Sequence, residues 1–202
     1  IRTEQLQSLR HVVLGGEPIQ AARFVDWLHS NTACRITNHY GPTECTDIAL
    51  SYSIDNIDEF VKQDIPLGLP NDNVSVHIMN RFMQAMPQGL TGEICISGTG
   101  VGLGYINNEQ ANAEKFITLA SGAKFYRTGD LARQLADKTL VFVGRSDFQV
   151  KVNGLRIELG EIEQALKAQN GVDDALVLVQ EQQLVAYIIT NATSLDYAQI
   201  KN

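Results

Sequence analysis

The sequence predicts three successive regions: an α/β region, a β-rich region and a small α+β region. The first is indicated by a strand, a helix and a second strand between His11 and Thr37. The second is indicated by short apolar strands that Gly, Pro or Asn separate, from about residue 65 to residue 146. The third is indicated by a turn pair, Asn153-Gly154, followed by a helical pattern and two apolar strands.

The α/β region begins with the apolar run 11–14, which we expect to be a buried strand that ends at Gly15-Gly16. Pro18 is a typical first-turn residue, and apolar residues then recur at helical spacing, so we expect a helix from Pro18. Arg35–Thr37 is the next strand. A strand, a crossover helix and a strand require parallel pairing, and such units bind ligands beyond the carboxyl ends of their strands.

The β-rich region favours a small antiparallel sheet or barrel, interrupted by one helix that Asn107 or Asn108 caps. Its expected elements are the strands Val74–Met79, Gly92–Ser97, Phe125-Tyr126 and Leu140–Val143 and the helix Glu109–Phe116. In the α+β region we expect a hairpin over 149–158, a helix from about Gly160, strands at Ala175–Val179 and Leu184–Ile189, and a further helix beginning in Ser194–Asn202.

Composition excludes several classes of function. Of the 202 residues, 44% are hydrophobic, which suffices for a core, and the net charge of −7 argues against nucleic-acid or membrane binding. No apolar run in the sequence, Leu140–Val143 among them, is long enough to cross a bilayer. Three cysteines, Cys34, Cys45 and Cys95, are widely spaced. This pattern indicates buried thiols in a reducing, cytoplasmic setting rather than disulfides or a zinc site.

The segment Asn38–Glu44 combines an aromatic ring, a Gly-Pro turn, a hydroxyl and a carboxylate. A ring that stacks on a base, a hydroxyl that bonds phosphate and a carboxylate that holds Mg²⁺ suit a nucleoside triphosphate. An ordinary surface turn with a helix cap at Thr43 is the alternative. The same carboxylate, Glu44, should raise the thiol pKa of Cys45, which argues against a nucleophilic cysteine.

Two further clusters carry polar chemistry. Asp130 follows a glycine at the expected end of a strand, where a carboxylate can accept both hydroxyls of a ribose; a turn that Asp130 stabilises is the alternative. Arg145 and Lys151 are cations that can meet phosphate, or they belong to a solvated hairpin. The alternating glycines of Gly98–Gly104 do not match a dinucleotide loop, so we expect a tight strand crossing or a close backbone approach there.

These motifs occur in the order and at the separations found in one family. They are Asn38–Glu44, Gly92–Gly98 with Gly104-Tyr105, Tyr126–Leu131 and Gly144–Glu163. The chain resembles the amino-acid-activating adenylation domains of nonribosomal peptide synthetases, which are adenylate-forming enzymes of secondary metabolism. The resemblance implies the C-terminal part of that fold: the end of a parallel α/β subdomain, a small antiparallel β-barrel and a partial α+β C-terminal domain.

The resemblance also implies residue roles at a nucleotide site. Tyr40 would stack on adenine beside Asn38, Gly41 would form the turn, and Gly15 and Gly16 would lie at the base edge. Thr43 would contact the α-phosphate and Glu44 would hold Mg²⁺, so Thr43, Glu44 and Arg145 are the expected catalytic residues. The remaining nucleotide contacts would be Asp130 at the ribose hydroxyls, Phe142 near the ribose, Arg145 at ribose and phosphate, and Lys151 in one orientation of the small domain.

Five residues align with the amino-acid pocket of the family: Val13, Gly15, His39, Asp47 and Ile48. The implied substrates are ATP and an amino acid, with Mg²⁺ as cofactor. The implied partner is a peptidyl carrier protein domain, whose phosphopantetheine thiol accepts the activated amino acid. An aspartate in the pocket favours a cationic or hydrogen-bonding substrate side chain, because a buried carboxylate needs a partner.

The resemblance divides the chain into residues 1–146, the C-terminal portion of the large core, and 147–202, a truncated small subdomain after the hinge Asp147. Within the first part, 1–60 would be the α/β portion and 65–146 the barrel-like portion. The phosphate loop and the C-terminal catalytic lysine of the family do not occur in these residues. We therefore expect a fragment that is inactive by itself. The alternatives are an acyl- or aryl-CoA synthetase, a D-alanine–carrier-protein ligase, or a fragment that binds nucleotide weakly or not at all.

Overall fold

The protein is described by a computed structural model whose contacts divide the chain into two compact units, residues 1–146 and 147–202. We describe each unit by itself. The structure describes residues 8–30, 33–120, 122–147, 149–152, 154–181 and 183–191. Within these ranges no helix is long and apolar enough to cross a membrane.

A mixed four-stranded sheet opens the first unit, in the order β1-β2-β3-β4. Its strands are β1 (His11–Gly15), β2 (Arg35–Tyr40), β3 (Leu50–Ile54) and β4 (Leu69–Pro70). β1 and β2 are parallel, which confirms the predicted strand–crossover–strand unit, whereas β3 and β4 continue the sheet with antiparallel pairing. β2 is longer than predicted, because it includes Asn38, His39 and Tyr40.

The crossover is less regular than the sequence predicts. A 3₁₀ turn covers Ala21–Arg23 and the helix α1 covers Val25–Ser30. The prediction of a helix from Pro18 is wrong, since Gln20 has an extended backbone and interrupts any helix before Ala21. The elements pack through buried Ile36, Ile54 and Phe60, with Trp27 partly buried against them.

The prediction that the first strand is buried is also wrong. β1 lies at the edge of the sheet, where its only pairing in the described residues is with β2. Val13 is 51% exposed, and every second residue of the strand faces solvent. This apolar run therefore forms an edge strand. Apolar composition alone does not distinguish an edge strand from a central one.

A five-stranded antiparallel sheet forms the rest of the first unit. Its strands are β5 (Val74–Met79), β6 (Thr91–Gly98), β7 (Phe116–Thr118), β8 (Lys124–Gln134) and β9 (Leu140–Arg145). β8 is central, pairing with β6 along one side and with β7 and then β9 along the other. The antiparallel sheet is as predicted; strand pairings in the described residues leave it open rather than closing it into a barrel.

The predicted helix of this region is α2 (Glu109–Lys115). Asn108 caps it, since its side chain accepts a hydrogen bond from the amide of Ala111 at 3.0 Å. Buried residues from both sheets, among them Leu50, Ile94 and Tyr126, form one core. All three cysteines are buried, as predicted: Cys34, Cys45 and Cys95.

The second unit combines two hairpins with one helix. Its elements are β10 (Gln149–Val152), β11 (Leu155–Glu158), α3 (Leu159–Lys167), β12 (Asp174–Gln180) and β13 (Gln183–Ile189). The first hairpin pairs β10 with β11, as predicted from the Asn153-Gly154 turn, although Asn153 itself lies outside the described residues. β12 and β13 form the second hairpin, whose Ala175 and Val177 pack on Leu159 and Leu166 of α3. The helix predicted in Ser194–Asn202 lies outside the described residues.

Candidate nucleotide-binding site

The carboxylate of Asp130 is the centre of the candidate site. The hydroxyl of Tyr40 donates to its Oδ2 at 2.5 Å, and the guanidinium of Arg145 donates from Nη1 to its Oδ1 at 2.5 Å. These three residues lie on β2, β8 and β9, and they are 90 and 15 residues apart along the chain. The structure thus brings together three of the residues predicted to bind the nucleotide.

The fold fixes Asp130 from its backbone as well. Asp130 is directly opposite Arg145 in the β8–β9 ladder, and its amide donates to Oγ1 of Thr128 at 2.9 Å. Asp130 lies within the long strand β8, not at a strand end as predicted. The local bend comes instead from Gly129, whose φ of +77° lies in the left-handed region that glycine tolerates best.

A buried ion pair beneath this bend was missed by sequence reasoning. Glu93 is 8% exposed, and its Oε2 accepts from Arg127 at 2.6 and 3.0 Å. Its Oε1 accepts from the amide of Gly129 at 2.9 Å. Glu93 therefore stabilises the backbone immediately before Asp130. The available signal was a charged residue inside an otherwise apolar strand, β6, because a buried charge requires partners.

Tyr40 is held as a neutral hydrogen-bond donor. Burial, followed by the neighbouring Asp130 carboxylate, raises the pKa of the Tyr40 phenol well above its usual value. Its carbonyl accepts from the amide of Ala49 at 2.8 Å, so the chain leaves β2 at Tyr40 and returns to it nine residues later. The ring is partly buried against the main core of the unit, and Phe142 packs half-buried against the same core.

Between these two points the chain makes a tight loop that contains Thr43 and Glu44. Both lie in a 3₁₀ turn, Thr43–Cys45, with Thr43 exposed and Glu44 half-buried. Gly41 is required here, since a Cβ on it would come within 2.1 Å of the Asp47 carbonyl oxygen. Burial, and next the Glu44 carboxylate, raise the thiol pKa of Cys45 to about 12, in agreement with the predicted effect of Glu44.

Glu44 is the residue of this loop that fits a divalent cation. One carboxylate oxygen accepts from the hydroxyl of Tyr105 at 2.6 Å, and a carboxylate has about four acceptor positions, so further ligation is possible. The described part of the chain contains no group of three or more His, Cys, Asp or Glu arranged to hold a metal. This donor set suits Mg²⁺, which proteins commonly bind through one or two carboxylates together with substrate phosphates.

The predicted base-edge residues lie on adjoining strands. Asn38 is buried, and its amide donates to the carbonyl of Pro66 at 2.8 Å. Gly15 is paired with His39, and a Cβ on Gly15 would lie 2.6 Å from the His39 carbonyl oxygen, so the approach requires glycine. Gly16 follows with φ of +85° in open space.

β2 separates the predicted nucleotide residues from most of the predicted amino-acid pocket. Because side chains alternate along a strand, Asn38 and Tyr40 share one face, whereas His39 points to the other. Val13 and Gly15 of β1 lie on the His39 face, since Gly15 and His39 are direct partners in the ladder. Asp47 and Ile48 are not on this ladder; they lie in the returning loop, where the Asp47 backbone contacts Gly41.

Ser146, the last residue of the first unit, is hydrogen-bonded to β8. Its amide and its hydroxyl both donate to the carbonyl of Gly129, at 2.8 and 3.0 Å. The second unit begins with Asp147, whose Oδ1 accepts from the amide of Gln149 at 3.3 Å. Lys151 also belongs to the second unit, where it is exposed on β10 opposite Arg156.

Known proteins resemble the chain over nearly its whole length. Residues 1–106 match the family model described as "AMP-binding enzyme". Zwittermicin A synthase ZmaJ of Bacillus cereus is 40% identical over 93% of the chain, which spans 36% of that protein. Malpibaldin synthetase of Mortierella alpina is 41% identical over 92% of the chain, and gramicidin S synthase 2 of Brevibacillus brevis is 40% identical over 93%; the chain spans 4% of each.

Solved structures agree with these sequence relatives. An artificially fused adenylation–PCP di-domain, NpsA-ThdA from Klebsiella oxytoca, superposes with a TM-score of 0.81 at 31% identity, covering 100% of this chain and 38% of that one. Holo-PA1221, a nonribosomal peptide synthetase protein containing adenylation and PCP domains, gives a TM-score of 0.87 at 30% identity, covering 98% of this chain and 36% of that one. The chain therefore belongs to the AMP-binding enzyme family, and it is similar over most of its length to nonribosomal peptide synthetases that contain adenylation domains.

Proposed function

We propose that these 202 residues are part of an ATP-dependent amino-acid adenylation domain, in which ATP and an amino acid give aminoacyl-AMP and pyrophosphate. The observation that carries the proposal is the Asp130 carboxylate, held between Tyr40 and Arg145 from three strands. The relatives named above support the reaction class. Since the chain spans 36% or less of those synthetases, the activity is proposed for the larger domain that contains it.

The ribose and adenine sites follow from this arrangement. Each Asp130 oxygen accepts one hydrogen bond from the described residues, and a carboxylate oxygen has a second acceptor position for a ribose hydroxyl. Tyr40 is fixed at its hydroxyl, so its ring is presented in one orientation for stacking on adenine. We assign Asn38, Gly15 and Gly16 to the base edge.

Thr43 and Glu44 form the proposed α-phosphate and metal site, and Arg145, which pairs with Asp130, is the proposed cation. Thr43 is exposed and its hydroxyl can donate to a phosphate oxygen. Glu44 would hold Mg²⁺, which when bound neutralises phosphate charge and supports attack by the amino-acid carboxylate. The protein groups contribute positioning and preorganised charge rather than covalent chemistry.

The amino-acid pocket is proposed on the opposite face of β2. Nδ1 of His39 is buried and has no hydrogen-bond partner among the described residues, and buried polar atoms of this kind are usually satisfied. A substrate side chain that hydrogen-bonds would supply the partner. Asp47 is the other polar group assigned to the pocket, so we propose a polar or cationic amino acid, with Val13, Gly15 and Ile48 as apolar lining.

Thioester formation is proposed as the second half-reaction, with the phosphopantetheine thiol of a peptidyl carrier protein as acceptor. The boundary between the two compact units falls between Ser146 and Asp147, which supports a hinge at Asp147. Ser146 is still tied to the first unit by two hydrogen bonds to the carbonyl of Gly129. Residues 1–146 would then belong to the large core and 147–202 to the small domain, and Lys151 would reach the nucleotide in one of its orientations.

ATP–pyrophosphate exchange, measured on the full-length protein with each amino acid in turn, tests the proposal. We expect exchange with a polar or cationic amino acid, and a loss of about 100-fold or more in kcat/KM for ATP in Asp130→Asn. Asp72→Asn, an exposed change in the same unit, is the control. Unchanged exchange in Asp130→Asn, or no exchange with any amino acid, would contradict the proposal. The 202-residue chain alone should show little or no exchange, and titration calorimetry with ATP and Mg²⁺ would distinguish weak binding from none.

A further inference from the structure

The alternating-glycine segment, Gly98–Gly104, packs against the backbone of the loop that carries Glu44. The amide of Gly102 donates to the Glu44 carbonyl at 2.8 Å, and the hydroxyl of Thr46 donates to the carbonyl of Gly100 at 2.7 Å. A Cβ on Gly102 would lie 3.2 Å from that same Glu44 oxygen. The expected close backbone approach is therefore confirmed, and its partner is the proposed metal-binding loop.

Tyr105 comes directly after this segment and contacts the Glu44 side chain. Its hydroxyl donates to Oε1 of Glu44 at 2.6 Å and lies 3.2 Å from the hydroxyl of Tyr126. Tyr126 is fully buried in the main core. The carboxylate is thus connected through Tyr105 to the rigid centre of the unit.

Tyr105 is itself held in place by α2. The side chain of Asn112 accepts from the Tyr105 amide at 2.6 Å and donates to the Tyr105 carbonyl at 2.9 Å. The ring packs edge-on against Phe116, with centroids 5.4 Å apart. Two backbone hydrogen bonds and one ring contact therefore fix the position of the hydroxyl.

We infer that Tyr105 is a positioning residue that holds the Glu44 carboxylate ready for a divalent cation. The inference rests on the proposed role of Glu44. Without the Tyr105 hydroxyl, the half-exposed Glu44 side chain loses this hydrogen bond and gains rotamer freedom, and cation binding must then remove that freedom. A donor to an ionised acceptor forms one of the stronger hydrogen bonds in proteins, so its loss should be measurable.

Binding of Mn²⁺ to the full-length protein with a non-hydrolysable ATP analogue, followed by electron paramagnetic resonance, tests this role. We expect Tyr105→Phe to weaken Mn²⁺ about five- to tenfold. The ring and its contact with Phe116 remain in this variant. Tyr52→Phe is the matched control, because Tyr52 is partly buried in the same unit, contacting Phe60 edge-on, and we expect its Mn²⁺ affinity to be unchanged.

Two further variants separate the possible outcomes. Glu44→Ala should weaken Mn²⁺ at least as much, and adding Tyr105→Phe to it should cause no further loss, because alanine removes the carboxylate through which Tyr105 acts. Asn112→Ala, which frees the Tyr105 backbone, should weaken Mn²⁺ by a smaller factor. Affinity within twofold of wild type in both Tyr105→Phe and Asn112→Ala, or additive losses in the double variant, would overturn the role of Tyr105. Unchanged Mn²⁺ affinity in Glu44→Ala would overturn the proposed metal role of Glu44 and this inference with it.

Discussion

Glu93 gives the sharpest test of how the fold positions Asp130. It accepts three hydrogen bonds, two from Arg127 and one from the amide of Gly129. Its side chain is 10% exposed, whereas that of Arg127 is 32% exposed. Replacing Glu93 with alanine therefore leaves the Gly129 amide buried without an acceptor, and it leaves the arginine with only partial access to water.

The size of the effect follows from these contacts. Hydrogen bonds to a charged group contribute about 1.5–3 kcal/mol each, and a buried donor without a partner costs about 1–3 kcal/mol. Removing one partner of a buried ion pair costs about 3–5 kcal/mol in total, and the partial exposure of Arg127 places Glu93→Ala near the lower figure. Glu93→Gln keeps an acceptor for Gly129 and should cost about 2 kcal/mol or less.

Urea unfolding followed by tryptophan fluorescence measures these differences. The chain has one tryptophan, Trp27, and it packs in the same unit as Glu93. Asp58→Asn is the control, because the exposed pair of Asp58 with His29 has side chains 55% and 57% exposed, and such pairs contribute less than about 1 kcal/mol. The reasoning would be refuted if Glu93→Ala unfolded at the same urea concentration as Asp58→Asn, or if the glutamine and alanine variants lost equal stability.

Two further predictions concern the loop of Gly41 and the buried thiols. Gly41→Ala should destabilise the first unit by about 3 kcal/mol, because the new Cβ would clash with backbone atoms of Asp47 and Ala49. Gly89→Ala is the control and should cost about 1 kcal/mol, since Gly89 has open space around it and a φ of +83°. Equal losses of stability in the two variants would contradict this explanation. Burial is the main cause that raises the thiol pKa of Cys45 and of Cys95 to about 12, and the carboxylates of Glu44 and Glu93, respectively, add to it. The free energy of unfolding should therefore be highest below about pH 9, where the thiols of the unfolded chain are also protonated. It should fall as the pH rises from about 9 towards 12, by about 1.4 kcal/mol per pH unit for each thiol. Unfolding midpoints at pH 8, 9.5 and 10.5 should fall less steeply in a Cys45→Ala/Cys95→Ala variant, and equal slopes would contradict the assignment.

Several strands are predictable because the pattern of apolar residues is a local property, although the predicted ends of β2 and β8 fall short of the observed ones. β5 has the predicted limits, and β6 differs by one residue at each end. The predictions that failed concern features that depend on contacts with distant parts of the chain. β1 has the composition of a buried strand and lies at an edge, and the helical spacing after Pro18 is interrupted at Gln20. Neither outcome is encoded in the spacing of apolar residues.

The candidate site shows the same limit. Tyr40, Asp130 and Arg145 were predicted from motifs, and the structure joins them through hydrogen bonds. The motifs contain Tyr105 and Glu93, but the sequence alone indicates no role for either residue. Their functions depend on contacts with residues 61 and 36 positions away, Glu44 and Gly129, which only the folded chain reveals.

The geometry of β2 constrains where the proposed reaction can occur. Asn38 and Tyr40 face one side of the sheet and His39 faces the other, so the nucleotide and the amino acid would approach β2 from opposite faces. Their reacting groups would then meet past the end of the strand, where Gly41 leads into Thr43 and Glu44. The Thr43 hydroxyl and the Glu44 carboxylate would therefore lie where the phosphate of the nucleotide and the carboxylate of the amino acid come together. The tight return that Gly41 permits, and the contacts of Tyr105 with Glu44, both hold that point in a fixed position.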